Sequence, residues 1–163
     1  MDKIEILEKV GFDLDKAKAV HQWLNDTTTE QPAQPATQDG ISVHTDGKGE
    51  KWVRVNICDE DFLIAARDYA DGDKKEFEWQ EAMDAMKKIG CSMWTKKQAY
   101  IVAAYIDEVN AKLREIYGEE LASLYWSSTE YSQTAAWGVS FSSGAIFNGP
   151  KYYSLFVRPC AAF

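Results

Sequence analysis

Two stretches in the middle of the chain carry apolar residues at the spacing of an α-helix. In the first stretch, these residues recur at i, i+3, i+4 and i+7, and Gly90 follows the last of them. Such spacing places the side chains on one face of a helix, and a glycine commonly ends one. We therefore predict a helix that ends at Gly90. The residues of its apolar face are Trp79, Ala82, Met83, Met86 and Ile89.

The second stretch begins with a helix-capping pattern. Thr95 is followed three residues later by Gln98, a pairing in which the hydroxyl accepts from a backbone amide and the longer side chain reaches back. One apolar face then continues to Ile116, and Gly118 follows it. The pattern predicts one helix of about six turns, with Gly118 as the residue beyond its end.

On both sides of these helices the apolar residues recur with a period of two, which is typical of strands. Residues 40–43 and 51–58 alternate around a turn at 44–49, and this arrangement predicts a hairpin. The short apolar run at 62–66 predicts a buried strand. Alternation and turn residues also fill the last 40 or so positions. Strands, then helices, then strands indicate an α+β domain.

The first 39 residues differ from this domain. Apolar residues at helical spacing predict a short helical segment over residues 1–26, and we expect this segment to be able to join copies of the chain into a homo-oligomer. Residues 27–39 contain two prolines and no large apolar side chain, a composition typical of a linker. The predicted domain therefore spans residues 40–163, with an N-terminal helical appendage.

Composition and charge exclude several function classes. The formal net charge is −8, whereas a nucleic-acid-binding protein needs basic patches. The acidity equally disfavours an anionic membrane surface. No apolar run approaches the roughly 18 residues of a membrane-spanning helix, and the N-terminus lacks the apolar core of a secretion signal. We expect a protein made in the cytoplasm and not inserted into a membrane.

The residues that usually carry catalysis or bind metals are sparse. Only two histidines occur, and no nucleophile-elbow, phosphate-loop or zinc-protease motif is present. Asp68, Asp71 and Asp73 surround Gly72, but their spacing does not fit a calcium loop, so we interpret them as a solvated acidic turn. The three widely spaced cysteines are expected to be buried free thiols. They are Cys58, Cys91 and Cys160. We expect neither an enzyme nor a cofactor or metal.

The C-terminal segment resembles a known family. The matching residues are Tyr125-Trp126-Ser127-Ser128-Thr129-Glu130-Tyr131, Ala136-Trp137, Phe141, Gly144, Val157-Arg158-Pro159 and Ala162-Phe163. They are similar to the Fibrobacter-type major paralogous domain, and weaker similarity extends upstream to about residue 60. The sequence departs from the family pattern at Ser92-Met93-Trp94, where Arg-Leu-Pro is usual, and at Cys160-Ala161, where a second arginine is usual.

The resemblance implies a C-type-lectin-like fold, with two helices packed on a small, mostly antiparallel sheet. Some members of this family are variable proteins of diversity-generating retroelements. The calcium-binding motifs of sugar-binding lectins are absent. We expect Tyr125 and Trp126 to be framework residues of the core, and Glu130 to pair with Arg158.

The expected binding face consists of the positions between these framework residues. Alternation places Trp137, Val139 and Phe141 toward the core and the residues between them outward. Small hydroxyl side chains mixed with aromatic rings are typical of binding surfaces. The candidate ligand-binding residues are Ser132, Thr134, Gly138, Ser140, Ser142, Ser143, Ala145, Phe147, Asn148, Tyr152, Tyr153, Ser154, Leu155 and Phe156.

The leading hypothesis is a ligand-binding or display module for a protein or a surface glycan. It would be a retroelement-diversified variable protein or a phage receptor-binding protein, the latter associated with the virion. A codon that ends in a pyrimidine cannot encode Lys, Glu, Gln, Trp or Met, and from Gly138 to Phe156 only Lys151 is of these types. Adenine-directed mutagenesis of asparagine codons would leave such a pattern. The alternatives are a structural or oligomeric component without its own ligand, and an enzyme related to the formylglycine-generating enzymes.

Overall fold

The computed structural model of the protein describes residues 40–163. The predicted helical segment at 1–26 and the predicted linker at 27–39 lie outside the described residues. Within residues 40–163, four strands are followed by three helices and then by five strands, and the strands form two sheets. The predicted α+β class is therefore confirmed.

The first sheet contains both ends of the described region. Its strands are β1 (Gly40–Thr45), β2 (Lys51–Ile57), β3 (Glu60–Ala65) and β9 (Cys160–Ala162), in that order and all antiparallel. The predicted hairpin and the buried strand are both present. Asp46 closes the first turn because its carboxylate accepts from the amides of Lys48 and Glu50 and from the Trp52 indole.

The turn between β2 and β3 explains the exposure of one cysteine. Cys58 and Asp59 form this two-residue connection, and both have positive φ angles, of 55° and 63°. A two-residue turn of this kind places its side chains in solvent. The prediction that all three cysteines are buried is therefore wrong for Cys58, which is exposed, whereas Cys160 is buried and Cys91 is intermediate.

The three helices follow β3. Helix α1 (Trp79–Lys88) ends beside Gly90, as predicted, and α2 (Lys96–Ala104) begins with the Thr95–Gln98 capping box. The predicted six-turn helix, however, is two helices, because Tyr105 leaves helical geometry (φ −114°, ψ 30°) before α3 (Ile106–Glu115) begins. A change at one residue leaves the apolar spacing nearly intact, so periodicity could not reveal it. No helix within residues 40–163 is long and apolar enough to cross a membrane.

The end of α3 also differs from the prediction. Tyr117, rather than Gly118, adopts the left-handed backbone conformation, with φ of 58°. Gly118 is required for space, since a Cβ atom there would lie 2.6 Å from the carbonyl oxygen of Ala66. The glycine therefore allows the end of α3 to pack closely against the chain leaving β3.

The second sheet carries the segment with the family resemblance. Its five strands are β4 (Glu76–Phe77), β5 (Leu124–Glu130), β6 (Ala135–Ser140), β7 (Ala145–Pro150) and β8 (Leu155–Phe156). They lie in the order β4–β8–β5–β6–β7, and only the β5–β8 pair is parallel.

This second sheet has a hydrophobic core on each of its faces. Tyr125 and Val139 belong to a cluster with α2, α3 and the first sheet, whereas Trp126 and Ala136 belong to a cluster with α1. Neighbouring residues of a strand point to opposite faces, so the sheet lies between the two clusters. The expected framework residues Tyr125 and Trp126 are indeed buried, at 1% and 0% exposure.

Candidate functional site

Arg158 is fully buried and ties the second sheet to the segments around it. Its Nε donates to Asp68 Oδ1 (2.7 Å), and its terminal nitrogens donate to the carbonyls of Ala65 (2.9 Å) and Glu119 (2.8 Å). The predicted pair between Arg158 and Glu130 is wrong, because Glu130 is exposed at the far end of β5. Arg158 is thus part of the scaffold.

The prediction of a solvated acidic turn is wrong for Asp68, whose side chain is only 16% exposed. Besides the arginine, its carboxylate accepts a hydrogen bond from the Tyr125 hydroxyl (3.0 Å). Burial raises the pKa of Asp68 above its ordinary value, while the charge of Arg158 acts in the opposite direction. Burial likewise raises the pKa of Tyr125. Each guanidinium nitrogen of Arg158 and the Tyr125 hydroxyl has a hydrogen-bond partner within the domain. We therefore interpret this Asp–Tyr–Arg group as part of the scaffold.

The face assignment of the candidate residues requires correction at four positions. Gly138, Ser140 and Leu155 are buried rather than outward, and Phe156 is half-buried against Tyr125, at 5.7 Å between ring centroids. The physical reason is the second core, because a sheet covered on both faces has no open side for small residues to face.

Neighbouring side chains of the hairpin cover Gly138 and Ser140. The Phe147 ring lies over Gly138, where a Cβ atom would be 2.7 Å from the ring. The hydroxyl of Ser140 is satisfied inside the β6–β7 turn by the hydroxyls of Ser142 (3.1 Å) and Ser143 (2.9 Å). Gly138 and Ser140 therefore support the hairpin and are not available to a ligand.

The remaining candidates lie at two separate ends of the β6–β7 hairpin, except for Phe147 and Asn148 in the middle of β7. Ser142, Ser143 and Ala145 are exposed at its turn. At the opposite end, five residues away along β6 or about 17 Å at the usual rise per residue, the loop 131–134 meets the loop 151–154. Their backbones join through the Lys151 amide, which donates to the Thr134 carbonyl (2.9 Å). The structure therefore does not bring all the candidates together.

The end with the two loops carries a continuous aromatic surface. Tyr152 and Tyr153 are exposed and pack edge to face, with ring centroids 5.3 Å apart. Tyr153 and the half-buried Phe147 both approach Gly149, within 3.6 Å of where its Cβ would lie. We name this end the loop site, and define it by its exposed or half-buried candidates. They are Ser132, Thr134, Phe147, Tyr152, Tyr153 and Ser154.

A second aromatic group lies beside the loop site on the other face of the sheet. Tyr131 is exposed and packs edge to face on Trp137, at 5.2 Å between centroids, and the Lys96 ammonium lies 3.5 Å from the Trp137 ring centroid. The exposed Asn148 pairs with Trp137 across β6 and β7. Sequence reasoning placed Trp137 in the core and overlooked Tyr131. The position of Tyr131, directly before a run of turn residues, was the available signal.

Charge is almost absent from the loop site. Between Tyr131 and Val157 the sequence contains one charged residue, Lys151, and its ammonium lies 2.9 Å from the carboxylate of Glu130. The site therefore offers hydroxyl groups and aromatic faces for contact. Among residues 40–163, no three His, Cys, Asp or Glu side chains are arranged to hold a metal ion.

Comparison of the sequence with protein-family models gives no match, and comparison with curated proteins gives none either.

Proposed function

We propose that residues 40–163 form a C-type-lectin-like domain whose loop site binds a protein or a surface glycan. The observation that carries this proposal is the exposed Tyr152–Tyr153 pair. It stands on the loop 151–154, which is hydrogen-bonded to the loop 131–134 and follows a strand of a sheet with a core on each face. A large apolar surface on a rigid support is favourable for binding, because little conformational freedom is lost when the ligand arrives.

The C-type-lectin-like fold is supported by the connectivity. The described region begins and ends in one sheet, through the pairing of β3 with β9. The helices lie between β4 and β5 in the sequence, and the second sheet is antiparallel except for the β5–β8 pair. The YWSSTEY stretch at 125–131, which carries the family resemblance, lies in β5 except for its last residue and supplies Trp126 to the core.

The function as a variable, ligand-displaying protein is supported by the separation of scaffold from surface. The residues that hold the fold, such as Trp126 and Arg158, are fully buried. The polar and aromatic residues of the loops 131–134 and 152–154 are exposed, so substitutions there touch few core contacts. Surface changes of this kind usually alter stability by no more than about 0.5 kcal/mol, which lets the loops vary while the fold stays constant.

A pair of displayed libraries tests the proposal. In the full chain, one library randomises six exposed loop positions, and the other randomises six exposed positions on α2 and α3. The loop positions are Ser132, Gln133, Thr134, Tyr152, Tyr153 and Ser154. The helix positions are Lys97, Tyr100, Ala104, Asp107, Glu108 and Ala111.

Both libraries are selected against lysozyme and against streptavidin, two unrelated proteins. We expect both to be displayed at the level of the parent, and binders to come from the loop library alone. Binders arising equally from both libraries, or poor display of the loop library, would contradict the proposal.

Diversification by a retroelement has its own test. Sequencing the gene in independent populations should reveal substitutions at adenines in the codons of the two loops, and none in the codons of Trp126 and Arg158. Substitutions spread evenly over the gene would contradict diversification while leaving the binding proposal intact.

A further inference from the structure

Lys151 stands at the centre of the loop site and makes five polar or aromatic contacts. Its amide donates to the Thr134 carbonyl (2.9 Å), and its own carbonyl accepts from the Trp79 amide (3.0 Å). Its ammonium donates to Glu130 Oε1 (2.9 Å) and to the Gln133 carbonyl (3.0 Å), and lies 4.6 Å from the Trp79 ring centroid. One residue thus connects both loops to the first residue of α1.

We propose that Lys151 is the positioning residue of the loop site: it fixes the loops 131–134 and 151–154 relative to each other before a ligand binds. This inference rests on the proposed function of the loop site. Lys151 would act on the ligand through the neighbouring side chains, which it holds in place.

The side-chain contacts reach across parts of the chain that are far apart in sequence. The ammonium bridges to residues 18 and 21 positions earlier, and only 21% of the Lys151 side chain is exposed. Its support is rigid, because the Trp79 indole also donates to the Ser127 carbonyl (2.8 Å) and the Trp79 side chain lies in the core. The loops are therefore tied to the core through Trp79 and Lys151.

The ion pair between Lys151 and Glu130 also neutralises charge at the surface. Without Lys151, the Glu130 carboxylate would be an unpaired charge beside the loops, since 57% of its side chain is exposed and no other cation contacts it among residues 40–163. With the pair formed, hydroxyls and tyrosine rings dominate the surface that a ligand meets. Lys151 therefore contributes to both the geometry and the neutrality of the site.

A positioning role and a general stabilising role predict different results. An ion pair at the surface contributes little to global stability. If the two loops are not ordered in the free protein, however, they must become ordered when the ligand binds, and this loss of conformational freedom weakens binding. Loss of the Lys151 side-chain contacts should therefore appear in the local opening of the loops and in affinity, with only a small change in the midpoint of global unfolding.

Amide hydrogen exchange of the full chain tests the first part without any ligand. In K151M, the side chain keeps most of its length but loses its ammonium group and therefore its charge. We expect the hydrogen-bonded amides of Tyr131, Ser132 and Tyr153 to exchange roughly tenfold faster, while the amides of β1 to β3 keep their rates. E130Q should act in the same direction with a smaller effect, because the bond to the Gln133 carbonyl remains. K151R, which retains the positive charge, should keep exchange in the loops as slow as in the wild type.

Lys112→Met is the matched control, since Lys112 makes an ion pair of the same length (2.9 Å) with Glu115 on α3. It should leave exchange in the two loops unchanged. Unchanged loop exchange in K151M, or faster exchange over the whole domain, would overturn the inference.

Binding tests the second part. The loop library described above is built again with K151M and selected against lysozyme. We expect binders of roughly tenfold lower affinity, or none, at equal display. Equal affinities from both libraries would overturn the role of Lys151 and leave the proposed function standing. Absence of binders from both libraries would contradict the proposed function, while the exchange result would still decide whether Lys151 fixes the loops.

Discussion

Replacing Arg158 with methionine removes three hydrogen bonds from the interior of the domain. The methionine retains much of the apolar volume, so the change acts mainly on the polar contacts. Asp68 loses a charged partner, and the carbonyls of Ala65 and Glu119 lose their bonds from the guanidinium. Arg158 itself is 0% exposed, so water has no direct access to its position.

The expected loss can be worked from these contacts. A hydrogen bond to a charged group contributes about 1.5–3 kcal/mol, and breaking a buried ion pair on one side usually costs about 3–5 kcal/mol. Asp68 is only partly buried and can recover some solvation, since 16% of its side chain is exposed. We therefore expect Arg158→Met to lower the free energy of unfolding by about 3–5 kcal/mol, and Asp68→Asn to lower it by less.

Urea unfolding of the full chain, followed by tryptophan fluorescence, measures this loss. Arg67→Met is a matched control, because Arg67 also reaches Glu119, at 3.5 Å, but its side chain is 66% exposed. The control should change the free energy of unfolding by less than about 1 kcal/mol. If Arg158→Met unfolds at the same urea concentration as Arg67→Met, the buried network does not hold the domain together and the reasoning is refuted.

Three further predictions concern other parts of the domain. Trp126→Ala should lower the free energy of unfolding by about 3–5 kcal/mol, since the ring is fully buried and its indole donates to a backbone carbonyl; calorimetry showing an unchanged melting temperature would contradict its place in the core. In native protein treated with iodoacetamide, mass spectrometry should detect modification of Cys58 and none of Cys160, because burial raises the pKa of Cys160 to about 12; equal labelling of both would be inconsistent with the fold. The hydrogen bond from Arg54 lowers the pKa of Asp61 from its ordinary value of 3.8. The stabilisation of the fold by the ionised Asp61 is therefore complete above this ordinary value and is lost as the pH falls through the lowered pKa. The stability difference between wild type and Asp61→Asn should therefore shrink in urea titrations below about pH 4, and a difference that grows there would refute the assignment.

Local signals in the sequence were sufficient for several elements. The apolar spacing before Gly90 and the Thr95–Gln98 capping box correspond to the first helix and to the start of the second. Both depend on residues within a few positions of each other, so they can be read from a short window. The burial of Trp126 followed in the same way from its large apolar ring and its place in the family-like stretch.

The partners of charged residues could not be read in this way. Asp68 and Arg158 are 90 positions apart, and no sequence pattern near either residue indicates that the other is its partner. The same limit explains why Glu130 was given the wrong partner, although Lys151 lay closer to it in sequence.

Alternation also failed where the sheet has two covered faces. It separates the two sides of a strand correctly, but it does not tell which side is open. Ser140 and Gly138 are small, which suggested solvent, yet their size is what allows Phe147 and the hairpin turn to pack over them. Which residues are exposed at the loop site depends on the positions of both cores, and the alternation within one strand does not contain this information.

The most direct test of the central claim is a binding measurement with paired variants of the full chain. Wild-type protein is applied to a panel of purified bacterial surface proteins and surface polysaccharides, and the affinity for each bound member is measured by biolayer interferometry. Tyr152→Ser with Tyr153→Ser removes the exposed pair of the loop site, whereas Tyr100→Ser with Tyr117→Ser removes two other exposed tyrosines. We predict that the first double variant loses at least roughly tenfold in affinity, as expected for aromatic anchors, and that the second binds like wild type. A panel without a bound member, or binding that the first double variant retains, would contradict the claim that the loop site binds the ligand.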